Sequence, residues 1–506
     1  MKKKICLLLA LLMVMTTAFG LTSCKKDGEG EETTVSTTVG GGDATGDPGS
    51  KDDPTLYEDL PTGNYEGYTF TFLNNTSGYA NTTIVPTVTS DSINQAMFQR
   101  NSFVKDKLKI DIKEISMGYQ EVSDEVRKLL NDPTPTYDAV YNEVVFQTPL
   151  AQSGAYYSVE ECEDYLNFEK PWWFTDAMKS LQIDGRGFEL FGDLQLMYYD
   201  SIWGMTFNQN ILSDNKQAYP YELVRKGEWT IEALKDIVAA TATEDTENWG
   251  VLSHKDFVSA MIVASDFVLV QQDEDDVLRK FENTETFVNV YNTIMNAFFQ
   301  SNGEVEKVNY IVADYASEAY KSDFPNAKDE AWSFQSLFTK GQGSFMAGTI
   351  GDIQMVRAAE FNYGIIPLPK YSAEDQEEYV SWIYRGAASC GIPAQTARED
   401  LERTCTILEN LAAYSYKLVK YEYYDVVVQT RTVRDNDSIE MLDVIFGHHE
   451  EIPCTTRFEI DTVYETGISN VIRKEMSDRS TNIMSGFGDW REINAKIAQV
   501  IEGYKG

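Results

Sequence analysis

The chain has 506 residues and a formal net charge of −37 at pH 7, because 80 Asp and Glu outnumber 43 Lys and Arg. A surface this acidic repels nucleic acid and anionic lipid headgroups, so the composition argues against a nucleic-acid partner. The charge is compatible with neutral or cationic ligands, and it also favours solubility. The length allows two or three domains with buried cores.

The N-terminus has the pattern of a lipoprotein signal peptide over residues 1–23. Lysines at positions 2–4 supply a positive end, and the apolar run over 5–20 is too short for a dependable membrane span. The junction Leu21-Thr22-Ser23-Cys24 resembles a bacterial lipoprotein cleavage site. We therefore expect a mature chain that begins at an acylated Cys24 and is anchored outside the cytoplasmic membrane. Removing three lysines and no acid would change its net charge from −37 to −40.

Residues 25–54 predict a flexible leash. They contain only two valines as sizeable apolar side chains, which is too few to offset the entropy of ordering the segment. A random coil of this length spans about 30 Å. Such a leash suits a folded body that docks on a partner in the same membrane, and it suits a passive stalk equally well.

The cysteines and histidines do not indicate a metal site. Cys6 leaves with the signal and Cys24 carries the lipid, so four cysteines remain, and no CxxC pair occurs among them: Cys162, Cys390, Cys405 and Cys454. An extracytoplasmic location permits disulfides, but buried free thiols are an equal expectation for a chain of this length. With only three His in the sequence, we expect no zinc site and no cofactor.

The first part of the folded body alternates between strand and helix patterns. We predict a strand over 68–73, a helix that Ser92 opens with Gln95 in the capping-box position, a strand over 109–115, a helix over 121–131 and a strand over 137–141. This order favours a parallel, doubly wound sheet, whose ligand crevice lies beyond the carboxyl ends of its strands. The rule indicates four ligand-binding candidates: Asn74, Asn75, Asn142 and Glu143.

A second set of elements begins near residue 202. We predict a strand over 203–207, a helix capped by Thr230, a strand over 344–347 and a long amphipathic helix over 401–421. The Gly-rich stretch 348–352 predicts a loop before a helix near Ile353. Free backbone N–H groups in such a loop would face the crevice and suit hydroxyl or anionic oxygens.

From about residue 66 onward the chain resembles the extracellular solute-binding lipoproteins of bacterial ABC importers, in particular the sugar-type group called family 1. The resemblance spans the chain and depends on the order and spacing of several loose motifs. After the cleavage site and leash, these are the stretches 93–101, Trp203-Gly204-Met205-Thr206-Phe207-Asn208-Gln209-Asn210, 227–234, 338–346, 363–369 and 390–394.

The resemblance implies an α/β fold with two lobes of the periplasmic-binding-protein type (type II), each a mainly parallel sheet flanked by helices and joined by hinge crossings. It places the tether at 24–60, lobe 1 at 61–199 plus 382–421, and lobe 2 at 200–381 plus 422–506. Lobe closure would trap the ligand. The implied partners are a small solute, expected to be a carbohydrate, the permease subunits of an ABC importer, and the membrane through the lipid anchor. A monomer is expected.

The same resemblance indicates ligand-binding residues near the crossings. Sugars stack their C–H faces on aromatic rings, so Trp203 and Trp382 are candidates, with burial in the core as an equal alternative. Asp200 and Arg385 flank the crossings and are candidates too, although a structural ion pair between them explains their positions as well. One feature departs from the family: many sugar-binding relatives have a Trp in the loop after the strand equivalent to Phe345-Met346, whereas this chain has Ile350 and Ile353, so an expected stacking platform is missing. Asp352 could still offer a polar contact there.

Two other classes of function stay open at this point. A surface glycosidase would use two carboxylates, but with so many acids their abundance carries no weight. No GxSxG, HExxH or P-loop pattern is present, so we expect no enzyme. The alternative is a binding module that serves a sensor or holds a surface glycan, and not a permease, which the sequence does not exclude.

Overall fold

The computed structural model describes residues 54–76, 83–86, 91–131, 137–242, 248–273, 277–298, 310–312, 333–428 and 436–504. All of them belong to one compact unit, Gly46–Gly506. The predicted signal peptide, Cys24 and the predicted leash up to residue 53 lie outside the described residues.

Thirteen strands occur in the described part of the chain. They are β1 (Tyr68–Asn75), β2 (Ile110–Met117), β3 (Ala139–Glu143), β4 (Trp203–Asn208), β5 (Trp249–Ser253), β6 (Val270–Gln272), β7 (Leu278–Lys280), β8 (Tyr310–Val312), β9 (Gly343–Thr349), β10 (Tyr363–Ile366), β11 (Tyr379–Trp382), β12 (Ala388–Gly391) and β13 (Cys454–Arg457).

The helices fall between these strands and in a long C-terminal series. They are α1 (Ser92–Leu108), α2 (Tyr119–Leu129), α3 (Val144–Ala151), α4 (Thr175–Leu181), α5 (Met197–Asp200), α6 (Gln209–Asp214), α7 (Tyr221–Arg225), α8 (Ile231–Thr241), α9 (Phe257–Ala264), α10 (Thr284–Phe298), α11 (Phe334–Thr339), α12 (Ile350–Met355), α13 (Arg398–Val428), α14 (Asn436–Ile445), α15 (Ile460–Tyr464), α16 (Ile468–Ser477), α17 (Ile483–Phe487) and α18 (Arg491–Tyr504). No helix of the described residues is both long and apolar enough to cross a bilayer.

The first sheet has the order β12-β3-β1-β2. Strands β1, β2 and β3 are parallel, and the helices α1 and α2 connect them, so the predicted alternating, parallel arrangement is confirmed. Strand β12 joins antiparallel, with Ala388 opposite Glu143. Helix α13 packs on α1. Its predicted apolar face is buried: Leu401, Cys405, Leu408, Ala412 and Val419.

The second sheet has the order β10-β4-β9-β5-β8 and is mixed. Strand β5 is parallel to β9 and β8, whereas β4 is antiparallel to both of its neighbours. The ends of β5 and β9 and the start of β4 therefore lie at one edge of this sheet. Trp203, the first residue of β4, is opposite Thr349, the last residue of β9.

A short crossing segment, residues 383–387, connects β11 to β12 of the first sheet. Strand β11 pairs with β13, and Ile383 forms a bridge with Ile202 just before β4. On the other side, the backbone N–H of Val145 donates to the Arg385 carbonyl at 3.3 Å. The crossing segment thus contacts the carboxyl edge of the first sheet and the strand that leads into the second.

Some local predictions need correction. The N-cap of α1 is Asp91, whose side chain accepts from the Asn94 N–H at 2.8 Å, so Ser92 does not cap the helix. The predicted loop over 348–352 is wrong, because 348–349 complete β9 and α12 begins at Ile350. The four cysteines predicted to remain in the mature chain are free thiols.

Candidate functional site

Four predicted ligand-binding residues lie together at the carboxyl edge of the first sheet: Asn74, Asn75, Asn142 and Glu143. Asn75 Nδ2 lies 3.5 Å from Glu143 Oε1. Asn142 is fully buried and donates to the Tyr119 carbonyl at 3.0 Å, so it fixes the start of α2 on the sheet. Two residues that the strand-end rule indicated, Asn75 and Glu143, therefore lie side by side, whereas Asn142 has a structural role.

Asn74 helps to fix the segment that follows β1. Its Nδ2 donates to Glu114 Oε1 at 2.7 Å. The other oxygen of Glu114 accepts from the backbone N–H groups of Ile84 and Val85, at 3.0 and 2.6 Å. Asn74 and Glu114 therefore hold the chain after β1 against β2.

Glu143 lies beside the crossing segment. Burial raises the pKa of its carboxyl to about 7, against the opposing effects of the Asn75 amide and the nearby Arg385. Arg385 itself forms an ion pair with Glu465, with 2.6 Å between Nη1 and Oε1. The end of β3, the crossing segment and the turn after α15 thus meet in one group of charged side chains.

Asp200 and Asp352, also predicted to bind ligand, have structural partners. Asp200 is 1% exposed, and its Oδ1 accepts from Tyr423 Oη at 2.7 Å and from Gln354. The ion pair considered between Asp200 and Arg385 is therefore replaced by other contacts: Arg385 pairs with Glu465, and Asp200 accepts from Tyr423 and Gln354. Asp352 forms a capping box with Thr349, accepting its N–H at 2.9 Å and its hydroxyl at 2.8 Å.

Trp203 and Trp382 form the centre of an aromatic cluster, defined here as these two residues with His254, Phe334 and Tyr384. The two indoles stack with 5.6 Å between centroids and an angle of 25°. His254 lies 4.9 Å from Trp203 and 5.6 Å from Phe334, and Tyr384 lies 5.7 Å from Trp382. The cluster therefore joins the edge of the second sheet to the crossing segment.

Both indoles of the cluster are fully buried, and neither Nε1 has a hydrogen-bond partner among the described residues. Buried polar groups in folded proteins are usually hydrogen-bonded, so these two N–H groups are donors that a bound molecule could use. Trp229 shows the ordinary arrangement, because its Nε1 donates to the Pro367 carbonyl at 2.9 Å. The cluster thus combines flat apolar faces with two unused donors.

Sequence reasoning missed His254, Phe334 and Tyr384. His254 follows β5 directly, so the strand-end rule would have indicated it if β5 had been recognised. Phe334 opens a short helix, α11, and Tyr384 lies in the crossing segment without a local pattern. Only the packing of distant segments brings these three rings together.

A concave pocket lies elsewhere, at residues 59–61 and 163–170. Five of its twelve lining residues are acidic, and one of these is Glu409. Glu409 is saturated, because it accepts from Trp172 Nε1 at 2.9 Å, Trp173 Nε1 at 2.8 Å and the Asn167 N–H at 3.2 Å. Within the described part of the chain, no three His, Cys, Asp or Glu side chains are grouped to hold a metal ion.

No protein-family model matches the chain, and no curated protein sequence does. Solved structures do. A sugar transporter protein from Rhizobium etli in an open conformation matches with a TM-score of 0.55 and 13% identity, over 85% of this chain and 99% of that one. UgpB from Mycobacterium tuberculosis, in complex with glycerophosphocholine, matches with a TM-score of 0.54 and 13% identity, over 86% of this chain and 98% of that one. RafE from Streptococcus pneumoniae in its apo form matches with a TM-score of 0.53 and 10% identity, over 87% of this chain and 100% of that one. The chain therefore has the two-lobed α/β fold of the periplasmic binding proteins.

Proposed function

We propose that this chain is the membrane-anchored solute-binding component of an ABC importer, and that it captures a carbohydrate between its lobes at the aromatic cluster. The observation that carries the proposal is the stacked pair Trp203 and Trp382, whose two buried indole N–H groups have no acceptor among the described residues. Binding without turnover is the function that such a site supports.

A carbohydrate fits the chemistry of the cluster. Its C–H faces pack on aromatic rings, and its hydroxyl oxygens accept hydrogen bonds from indole N–H groups. A protein of similar fold binds such a solute: MalE3 of T. maritima, whose structure contains maltose, matches this chain with a TM-score of 0.51 and 11% identity. The residues predicted at the edge of the first sheet, Asn75 and Glu143, would complete the site from the other lobe.

Capture requires the lobes to move. Both tryptophans are fully buried, so a solute reaches them only when the parts around the cluster separate. Contacts made only after closure would shift the population towards the closed state, which a permease then distinguishes from the open one. The crossing segment, which carries Tyr384 and Arg385, is the natural place for this hinge motion.

Ligand screening by thermal shift tests the binding function. The protein spanning residues 46–506 is heated with mono- and oligosaccharides, amino acids, peptides and polyamines. A ligand at a hundred times its Kd stabilises the folded state by about 2.7 kcal/mol, so a saccharide that binds raises Tm, and it should be recovered chemically intact. Amino acids or peptides as the only ligands would contradict a carbohydrate, and hydrolysis of the saccharide would contradict binding without turnover.

Conservative variants test the site. Trp203→Phe and Trp382→Phe keep an aromatic face and remove one N–H each, so each should weaken binding of the identified saccharide by about 1 kcal/mol, roughly fivefold. Trp490→Phe is the matched control, because this ring stacks on Phe487 away from the cluster. Unchanged affinity in both cluster variants would contradict the assignment of the site.

The anchor is tested separately. Mass spectrometry of the membrane-extracted protein should show an acylated N-terminal peptide that begins at Cys24, and Cys24→Ala should release the protein from the membrane fraction. An unmodified Cys24 would contradict the anchor and leave the solute-binding proposal intact.

A further inference from the structure

Asp256 is a buried carboxylate with one unused oxygen. It lies three residues after β5 and is 1% exposed. Its Oδ1 accepts from Arg473 Nε, whereas its Oδ2 has no hydrogen-bond partner in the described part of the chain. A carboxylate oxygen at this depth ordinarily accepts at least one hydrogen bond. Asp256 therefore has spare acceptor capacity.

The neighbouring His254 does not satisfy this oxygen. His254 Nδ1 lies 3.6 Å from Asp256 Oδ2, beyond hydrogen-bond distance. The same nitrogen accepts the backbone N–H of Asp256 at 3.2 Å, so it presents a lone pair and not a proton. His254 Nδ1 therefore does not donate to Asp256 Oδ2, and this oxygen stays available to a donor from outside the described residues.

This position belongs to the aromatic cluster. The centroid of the His254 ring lies 4.9 Å from that of Trp203 and 5.6 Å from that of Phe334. His254 therefore lies between Asp256 and the stacked indoles. Two unused donors and one unused acceptor thus occur in a single group of contacting residues. A hydroxyl group both donates and accepts, so a polyhydroxylated ligand matches this set.

Arg473 fixes the carboxylate from a distant part of the chain. It lies on α16, near the C-terminus, is mostly buried, and also donates through Nη1 to Asn470 Oδ1 at 2.9 Å. A guanidinium held in this way restricts the Asp256 carboxylate to one orientation and balances its charge. The site therefore offers an acceptor without a net negative charge.

We propose that Asp256 contacts the bound solute as the acceptor of a hydroxyl, and that Arg473 is the positioning residue that orients it, so that the site selects neutral polyhydroxylated solutes over cationic ones. The inference rests on the proposed function and deepens it. It also decides between the neutral and cationic ligands that an overall charge of −37 leaves open.

Binding measurements on four variants test the proposal, with maltose, raffinose and spermidine as probes alongside any saccharide identified by the thermal-shift screen. Asp256→Asn and Arg473→Met should each lower the affinity for the saccharide by roughly 10-fold to 100-fold, as expected for a hydrogen bond to a charged group. Arg473→Lys should recover part of the loss. Lys474→Met is the matched control on α16, because its side chain is 69% exposed and pairs with Asp478.

The outcomes separate this inference from the proposed function. Full saccharide affinity in both Asp256→Asn and Arg473→Met would overturn the role of Asp256 and leave carbohydrate binding in place. No saccharide binding by the unmodified protein would overturn both. Stabilisation of the unmodified protein by spermidine would overturn the selection of neutral solutes. Near-UV circular dichroism shows which variants fold, and if Asp256→Asn does not, the comparison of Arg473→Met with Arg473→Lys still decides the outcome.

Discussion

At the scale of single residues, the buried carboxylates of this chain differ in how many donors they accept. Asp461 accepts the backbone N–H groups of residues 467–469, at 3.0, 2.7 and 2.7 Å, and so holds the start of α16. Glu409 accepts three donors in the same way. Asp256 accepts one side-chain donor and keeps an oxygen free. Asp461 and Glu409 therefore use their oxygens to hold the fold together, whereas Asp256 keeps one acceptor oxygen next to the candidate site.

Glu409→Ala should destabilise the protein strongly. The substitution leaves Trp172 Nε1, Trp173 Nε1 and the Asn167 N–H without their acceptor, and each buried unsatisfied donor costs about 1 to 3 kcal/mol. We expect the free energy of unfolding to fall by about 3 kcal/mol, as measured by urea denaturation. Glu402→Ala, at an exposed position of the same helix, is the control and should have little effect. Equal stabilities of the two variants would contradict the argument.

At the scale of elements, local pattern predicted the strand ends of the first sheet but not the contacts of the aromatic cluster. Alternation and strand ends placed Asn75 and Glu143 at one sheet edge, because strand direction and side-chain period are local properties. The stretch 348–352 was misread, since its glycines suggested a loop while pairing of β9 with β4 and β5 extended the strand to Thr349. The stacking of Trp203 on Trp382 depends on segments far apart in sequence, and no local pattern specifies it.

Asp352 provides a test at the level of a helix end. Asp352→Ala removes the acceptor for the Thr349 N–H and hydroxyl and for Gln335 Nε2, so α12 loses its capping box. We expect the free energy of unfolding to fall by about 2 kcal/mol, the upper part of the range for a lost cap. The Kd for the identified saccharide should change less than twofold in an isothermal titration. A loss of affinity as large as that of Asp256→Asn would instead support the ligand-binding role predicted from the sequence.

At the scale of the whole molecule, the C-terminal segment, residues 454–504, contacts residues on the side of each of the two large sheets. On the side of the first sheet, Gln152 Nε2 donates to the Val500 carbonyl at 3.4 Å and Tyr464 Oη donates to the Leu181 carbonyl at 3.3 Å. On the side of the second sheet, Arg473 holds Asp256. The proposed lobe closure would therefore have to change the contacts of this segment with at least one of the two sides, and Arg473 would carry that change to Asp256.

Two buried glutamates at the contacts of the C-terminal segment predict how stability depends on pH. Burial raises the pKa of Glu189 and of Glu459 from the ordinary value of 4.5 to about 7, and each keeps one oxygen without a hydrogen bond within the described residues. The folded state therefore binds these protons more tightly than the unfolded state does. The resulting stabilisation is complete below pH 4.5 and is lost as the pH rises through about 7.

Glu189→Gln and Glu459→Gln should remove this pH dependence, because glutamine stays neutral. At pH 5 the free energy of unfolding in urea should be nearly the same for each variant and for the unmodified protein. The reason is that the glutamate of the folded, unmodified protein is then uncharged, as the glutamine of the variant is. At pH 8 each variant should be the more stable one, by about 3 kcal/mol for a shift of this size. Glu232→Gln, on the exposed face of α8, should show no such difference between the two pH values. Variants that are less stable than the unmodified protein at pH 8 would show that these carboxylates are ionised and well compensated in the folded state, contrary to the prediction.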